Sequence, residues 1–362
     1  MLNTLLVKHF RIFDEKKVRF YPGINIILGE NGVGKTSLLE AVYFMNFTKS
    51  FKAPRDENMV RIGKDHFQVH TEWENAGIGS ADGNFLKGKG KRFILDGETL
   101  ERITDVVGNF PMVFQSPEDY RVTAGPGGER RIYFDRFISQ LSREYLQDLM
   151  RYRKILRNRN ACCKQLSESG KFAYTRQLEI YDIQLLPVVR RIVNMRERVA
   201  EMFNRRLETL YSEIFSGESP GRIRYRPSLN SKDTDAELRR HIRELAGKEI
   251  ALHRTLWGPN YDKYVFYRGD TPLIHYASQG EHKIWMTLLK LAEGDIIRND
   301  AGKEPLYLFD DLFAELDVNN SRRIVENIML KQQALITTTD LNDLRRHGID
   351  TSRGNIHLIE IR

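Results

Sequence analysis

The chain has 362 residues, 41% of them hydrophobic and 29% charged. That length allows two or more domain-sized units, or one domain carrying a large insertion, and the composition shows no bias toward disorder. No run reaches the roughly 18 apolar residues of a membrane span, and the first residues, MLNTLLVKHFR, lack the basic segment and small-residue cleavage site of a signal peptide, so a cytoplasmic protein without a membrane partner is expected. A net charge of +8 points to a polyanionic partner such as nucleic acid. The only cysteines, Cys162 and Cys163, are adjacent, which suits neither a disulfide nor a zinc pattern and leaves reduced thiols.

In chain order, the first elements read as strands: Leu5 and Val7, then Val18 and Phe20, then the apolar run Ile24, Ile26, Ile27 and Leu28. That run ends in GENGVGKT, which fits G-x-x-x-x-G-K-[ST] between a strand and a helix. Gly29, Gly32 and Gly34 free the backbone so that successive N–H groups, with those of Glu30, Asn31 and Val33, turn inward around phosphates. Lys35 supplies a cation to the β- and γ-phosphates of ATP, the Thr36 hydroxyl suits Mg²⁺, and Ser37 lies in the first helical turn, whose positive end favours an anion. Leu38, Leu39, Val42 and Met45 give the following helix its apolar spacing.

From His66 to Leu95 the alternation FQVHTEW and an Asp96-Gly97 turn predict antiparallel strands. Gln115, in PMVFQSPED, is a candidate for a glutamine that meets the metal and the attacking water. Between about Ser139 and Phe215 the pattern is helical and predicts a hairpin of two long helices, with Gly170 near its turn and a start or kink at Pro187. Ser216 to Ser228 is read as a loop that closes this insertion.

After the insertion, Ser278 and Gly280 in YASQGEHKIWMTLLKLAE precede an amphipathic helix. A hydroxyl, a backbone N–H and a helix dipole there make a γ-phosphate sensor, and the segment resembles the ABC signature motif. The strand PLYLFDD resembles a Walker B motif, with Asp310 holding Mg²⁺ and Asp311 orienting or deprotonating the attacking water. Asp317 in FAELD resembles the D-loop aspartate. Thr339 ends the strand ALITTTD where many ABC proteins carry a switch histidine, and Arg11 in KHFRIF matches a position from which Rad50-like ATPases reach the nucleotide. The cationic candidates for DNA phosphates are Lys49, Lys52 and Arg55 after the first helix, Arg130 and Arg131 in a Gly-rich segment, and the stretch Arg151 to Arg159 on the arm.

Taken together with TKSFKAPRDENMV, SPEDYRV, GGERRIYFDRFISQL and TLWGPNYDK, these motifs resemble the RecF family over nearly the whole chain. Two segments depart from the family pattern: Asn260, Tyr261 and Asp262 stand where a His-Arg-Asp run is usual, and Glu281, His282 and Lys283 where Gln-Gln-Arg is usual. The resemblance implies an α/β fold: an ABC-ATPase head, with a P-loop mixed sheet and an antiparallel β subdomain, and an inserted helical arm. The expected division is residues 1–138 for the first part of the head, 139–230 for the arm and 231–362 for the second part. It further implies a slow ATPase that dimerises on ATP and binds double-stranded or single-stranded/junction DNA, with Ser278 reaching a second copy from the arm-side lobe. RecR, with RecO and RecA in the pathway, is the implied protein partner. SMC and Rad50 coiled coils need far more chain than this insertion provides. The other uses of a P-loop, a transport subunit or a small-molecule phosphotransferase, fit less well. A phosphotransferase needs no signature motif after a long insertion, and a transport subunit has a shorter helical subdomain and a switch histidine.

Overall fold

Alternating apolar residues at the start of the chain form two antiparallel strands, β1 (Leu2–Phe10) and β2 (Phe13–Arg19), in a computed structural model that describes residues 1–74, 77–214, 221–230, 233–312, 325–350 and 354–362. The same period gives β4 (His66–Trp73), β5 (Ser80–Leu86), β6 (Gly90–Leu95) and β7 (Glu98–Thr99), and one antiparallel sheet runs β2-β1-β4-β5-β6-β7. Its last hairpin turns on Asp96 and Gly97, both at positive φ (47° and 84°), as a two-residue reversal matched to strand twist requires.

Apolar runs that do not alternate form four of the five strands of a second sheet, and these are buried on both faces. It has the order β14-β3-β13-β12-β8, where β3 is Gly23–Leu28, β8 Met112–Gln115, β12 Leu306–Phe309, β13 Gln333–Thr338 and β14 Ile356–Glu360. Every described pairing in it is parallel, so antiparallel pairing is confined to the other sheets. Helix α1 (Lys35–Phe47) packs on β1, β4 and β5 of the first sheet and on β8 and β13 of the second. A helix so enclosed needs apolar residues all round, and Leu38, Leu39, Val42, Phe44 and Met45 are each fully buried.

Both sheets lie in one unit, Met1–Ala124 with Arg206–Glu218 and His275–Arg362. That unit also holds the short α2 (Arg121–Ala124), helix α7 (Gln279–Ala301) and α8 (Leu341–Arg346). The other unit, Gly125–Arg205 with Ser219–Ile274, starts before and ends after the expected arm of 139–230. Packing explains its extent. Helix α3 (Gly127–Leu141) lies on β10 (Lys263–Arg268), which pairs with β9 (Gly221–Arg226) and β11 (Thr271–Pro272), and α6 (Asp235–Ala251) lies on α4 (Arg143–Glu168). The helix after α4, α5, spans Arg176–Ile214, and Gly170 takes a left-handed φ of 69° between the two.

Two expectations are corrected here. Helix α5 begins at Arg176 and runs through Pro187, so no helix starts at the proline. Pro187 and Ile183 are both on the exposed side, where water can take the carbonyl that the missing proline N–H leaves free. Residues 221–226, expected in a loop, are strand β9, in which GRIRYR alternates exposed arginines with inward residues.

Two arginines organise the interior of the second unit. Arg159 donates to Asp182 (2.6 Å) and Glu249 (2.7 Å), and Arg196 to Asp135 (2.7 Å) and Asp262 (2.7 Å). Buried pairs of this kind add little net stability over apolar residues of equal volume, because desolvation offsets their attraction. What they fix is geometry: α5 is held to α3 and to the segment carrying Asp262. Cys162 and Cys163 are free and buried, and burial pushes the Cys163 thiol up to about 11.

Candidate functional site

The loop from Gly29 to Gly34 joins β3, flanked by β13 and β14, to the first residue of α1. Glycine is required at position 34, where φ is 100° and an added Cβ would run into the Phe13 ring and the Ile12 Cδ1, the latter at 2.8 Å. The β1–β2 turn is thereby pressed against the loop. Glu30, Asn31 and Gly32 remain exposed, whereas Lys35 is buried and its Nζ donates to the carbonyls of Gly29 (2.8 Å) and Glu30 (2.9 Å). The ammonium is thus held under the loop by two backbone acceptors.

The neighbouring parallel strands bring the second motif to the same place. The Thr36 hydroxyl donates to both carboxylate oxygens of Asp310, each at 3.0 Å, across 274 positions of sequence. Thr337 donates to Asp310 Oδ1 at 2.8 Å, and its hydroxyl accepts the Asp311 N–H at 2.9 Å. Thr337 was not singled out from sequence; the TTT run ending β13, beside a strand ending in Asp-Asp, is the signal that finds it.

Gln115 ends β8, and its carbonyl accepts the Asp310 N–H at 2.9 Å. Its Nε2 donates to Thr287 on α7 at 3.1 Å, while its buried Oε1 has no partner among the described residues. Gln115 and Asp310 line one crevice together with Lys283. A hydroxyl, a carboxylate and an orphaned amide oxygen are an oxygen donor set of the kind that Mg²⁺ takes. Thr36, Asp310 and Gln115 therefore fit the metal.

Burial holds the Asp310 carboxyl above its usual range, against the hydrogen bonds from Thr337 and Thr36 and the charges of Lys52 and Lys35. A carboxyl raised in the folded state stabilises the fold below the ordinary carboxylate range and loses that contribution as pH rises through its folded value. Asp310→Asn removes the carboxyl whose charged form burial opposes. Without nucleotide the variant should melt at or above the wild-type temperature, and Mg²⁺–ATP should no longer raise it. Thermal melts with and without the ligand check this; a variant stabilised by Mg²⁺–ATP as much as wild type contradicts it.

Asp311 adopts a left-handed φ of 49°, a conformation that aspartate and asparagine tolerate better than other L-residues. Thr339 lies exposed just beyond β13. Asp317 lies outside the described residues.

The candidate signature segment caps α7. Ser278 Oγ accepts the Glu281 N–H (3.3 Å), and the Ser278 N–H donates to Glu281 Oε2 (2.7 Å), a reciprocal capping box. The helix start is exposed, and a Cβ on Gly280 would meet only Ser278 Oγ, at 3.9 Å, so nothing within the described chain requires glycine there. Placement of this helix in an arm-side lobe is corrected: α7 packs on β8 and belongs to the unit of the P-loop. Fourteen of its residues are buried, more than a one-sided amphipathic helix would bury, which is why it sits against the sheet.

The family described as RecF/RecN/SMC N terminal domain matches residues 1–348. The DNA replication and repair protein RecF of Salinibacter ruber is 32% identical over 352 residues, covering 94% of this chain and 85% of that protein. RecF of Chloroherpeton thalassium is 32% identical over 364 residues, covering 96% and 98%. The chain belongs to the RecF family. Among solved structures, the recombination mediator protein RecF with ATPrS, in the RecFOR pathway, superposes with a TM-score of 0.86 at 26% identity, covering 100% of this chain and 96% of that one. A RecF–ATP structure gives 0.83 at 28%, covering 94% and 92%. An Smc head bound to the C-winged helix domain of ScpA, at 0.55 and 15% identity over 95% and 91%, shares the fold. The chain is an ABC-type ATPase head of the RecF kind.

In the two segments that depart from the RecF pattern, Asp262 keeps the usual aspartate and the other positions differ. Asp262 is fully buried, paired with Arg196 and accepting from Tyr225 OH and the Ser228 N–H (2.9 Å), while Tyr261 is exposed. Glu281 completes the capping box, and Lys283 lies at the crevice of Gln115 and Asp310.

The other candidates separate by their partners. Arg11 makes a bidentate pair with the buried Glu40 of α1 (2.7 and 2.6 Å), an acceptor shared with the Ser50 hydroxyl, and its third contact is the Asn58 carbonyl at 2.7 Å. It braces the turn that presses on Gly34. Lys49, Lys52 and Arg55 are exposed, and Lys52 is near enough to Asp310 to act on its charge. Arg130 and Arg131 are half-buried. Arg130 donates to the Gly125 carbonyl (3.0 Å) and lies over the Phe266 ring, and Arg131 donates to the Asp262 carbonyl (3.1 Å), so both are tied into their own unit.

Proposed function

We propose that this chain is an ATP-driven DNA repair switch. It binds ATP and Mg²⁺ at residues 29–37, closes as a two-fold dimer around two nucleotides, and acts at duplex or single-strand/duplex junction DNA to help load recombinase at gaps. The observation that carries the reading is the Thr36 hydroxyl set on both Asp310 oxygens, beside a Gln115 Oε1 that has no partner among the described residues.

The roles of the side chains follow from their chemistry. Lys35 leaves the Gly29 and Glu30 carbonyls for the β- and γ-phosphates, while the loop N–H groups and the start of α1 take the remaining phosphate charge. Thr36, Asp310 and Gln115 would hold Mg²⁺, which would supply positive charge to the phosphate oxygens. Asp311 orients or deprotonates the attacking water, and Asp317 is, by the family resemblance, the D-loop aspartate. Gly280 leaves the start of α7 bare, so that Ser278, the helix N–H groups and the dipole can receive the γ-phosphate held by a second copy. Arg11 acts through the turn at Gly34.

Hydrolysis is expected to be slow, because Asp311 is one methylene shorter than a glutamate and Thr339 offers no imidazole to the γ-phosphate. RecR is the expected partner, with RecO and RecA acting nearby, in keeping with the RecFOR pathway of the similar RecF structures. Among the described residues no helix is long and apolar enough to cross a membrane, which is compatible with the proposed cytoplasmic location. The test is ATP turnover with and without gapped DNA. Turnover well below about ten per second, raised by DNA, is the expected result; vigorous turnover indifferent to DNA contradicts the switch.

A further inference from the structure

The second unit carries a basic sheet face. Strand β9 alternates strictly: Ile223 and Tyr225 point inward, where the Tyr225 ring packs tilted against Tyr264 at 4.8 Å, and Arg222, Arg224 and Arg226 are exposed. The register with β10 places Lys263 opposite Arg226, Val265 opposite Arg224 and Tyr267 opposite Arg222, so Lys263 joins the three arginines on the outer face. The Cα atoms of successive outward arginines stand roughly 7 Å apart along the strand.

None of these four cations forms an ion pair among the described residues. The neighbours of the face are aromatic: the Arg224 guanidinium lies 4.8 Å over the Tyr267 ring, and Arg226 donates to the Tyr267 hydroxyl at 3.2 Å. These contacts hold the guanidiniums on the face without neutralising them. Nor is β9 a loose edge, since the Asn204 side chain accepts from the Ile223 N–H (2.7 Å) and donates to the Ile223 carbonyl (2.9 Å). Inner packing on α3, where Phe134 stacks on Tyr264 at 4.0 Å, keeps the face rigid.

A row of cations on one strand face, without ion pairs among the described residues and with no donor–acceptor variety, matches a polyphosphate backbone and carries nothing to read bases. We infer that Arg222, Arg224, Arg226 and Lys263 form a site for the sugar-phosphate backbone of DNA. This inference rests on the DNA-binding reading above and names its surface, in place of Arg130 and Arg131.

The experiment compares wild type, a triple variant (R222Q, R224Q, R226Q) and a triple lysine variant (R222K, R224K, R226K). Affinity for a fluorescent gapped duplex is measured across a salt series, with ATP affinity and thermal melting as controls for folding. The glutamine variant should keep both controls, bind DNA at least tenfold more weakly, and lose about two to three from the slope of log affinity against log salt, at roughly 0.9 per phosphate contact. The lysine variant should keep most of the slope. A glutamine variant with wild-type affinity and slope overturns the inference alone. A wild type that binds no DNA overturns the DNA reading and the inference with it, and wild-type binding of poly-glutamate at these arginines as tight as that of DNA overturns the inference in favour of an acidic protein.

Discussion

Replacing Lys35 with methionine is expected to weaken ATP binding by about a hundredfold or more, the scale for removing one partner of a largely buried charge contact. In the ligand-free protein the ammonium is bound, among the described residues, by two neutral carbonyls, Gly29 and Glu30. Moving it to a charged phosphate gains more than that costs, because charge-assisted hydrogen bonds are roughly twice as strong as neutral ones. Methionine has similar length and an apolar stem that suits the buried position, so the loss reports on charge and not on packing. Titration with a fluorescent ATP analogue measures it. Affinity within a factor of two of wild type would remove the P-loop from the account.

Asp311→Asn should separate binding from chemistry. Asparagine tolerates the left-handed φ of 49° as aspartate does, and the backbone N–H to Thr337 at 2.9 Å is kept, so the strand end stays in place. What is lost is the carboxylate that takes the proton of the attacking water, a contribution of about 10²-fold or more. ATP affinity should change by no more than about twofold while single-turnover hydrolysis falls by that factor; equal loss in both would assign Asp311 to binding.

The parts of this site that sequence made legible are those whose geometry is local. GENGVGKT announces a strand, a tight turn and a helix start within eight residues, and the structure builds all three. PLYLFDD likewise names its own strand and its own carboxylates. What sequence left hidden is set by pairing between distant strands: Thr337 meets Asp310 because β12 and β13 are parallel neighbours, and Arg11 goes to Glu40 because α1 lies against β1. The same holds for α7, whose Ser-Gly start was legible but whose attachment to β8 through Gln115 and Thr287 was not. Strand β9 was missed for a different reason. Its alternation is carried by arginine instead of by apolar residues, and the Gly, Ser and Pro around it weigh toward a loop. Read at period two, GRIRYR shows both the strand and its basic face.

The central claim, a composite nucleotide site completed by a second copy, is most directly tested by light scattering with ADP, with ATP, and with ATP plus gapped DNA, on wild type and on Ser278→Arg. Serine 278 caps α7 from an exposed position, and an arginine there keeps the backbone path while placing a bulky cation where the partner's γ-phosphate would enter. The account predicts a wild type that is monomeric with ADP and dimeric with ATP, and a variant that binds ATP as a monomer and stays one. A wild type that remains monomeric with saturating ATP and DNA, or a Ser278→Arg protein that dimerises normally, would contradict it.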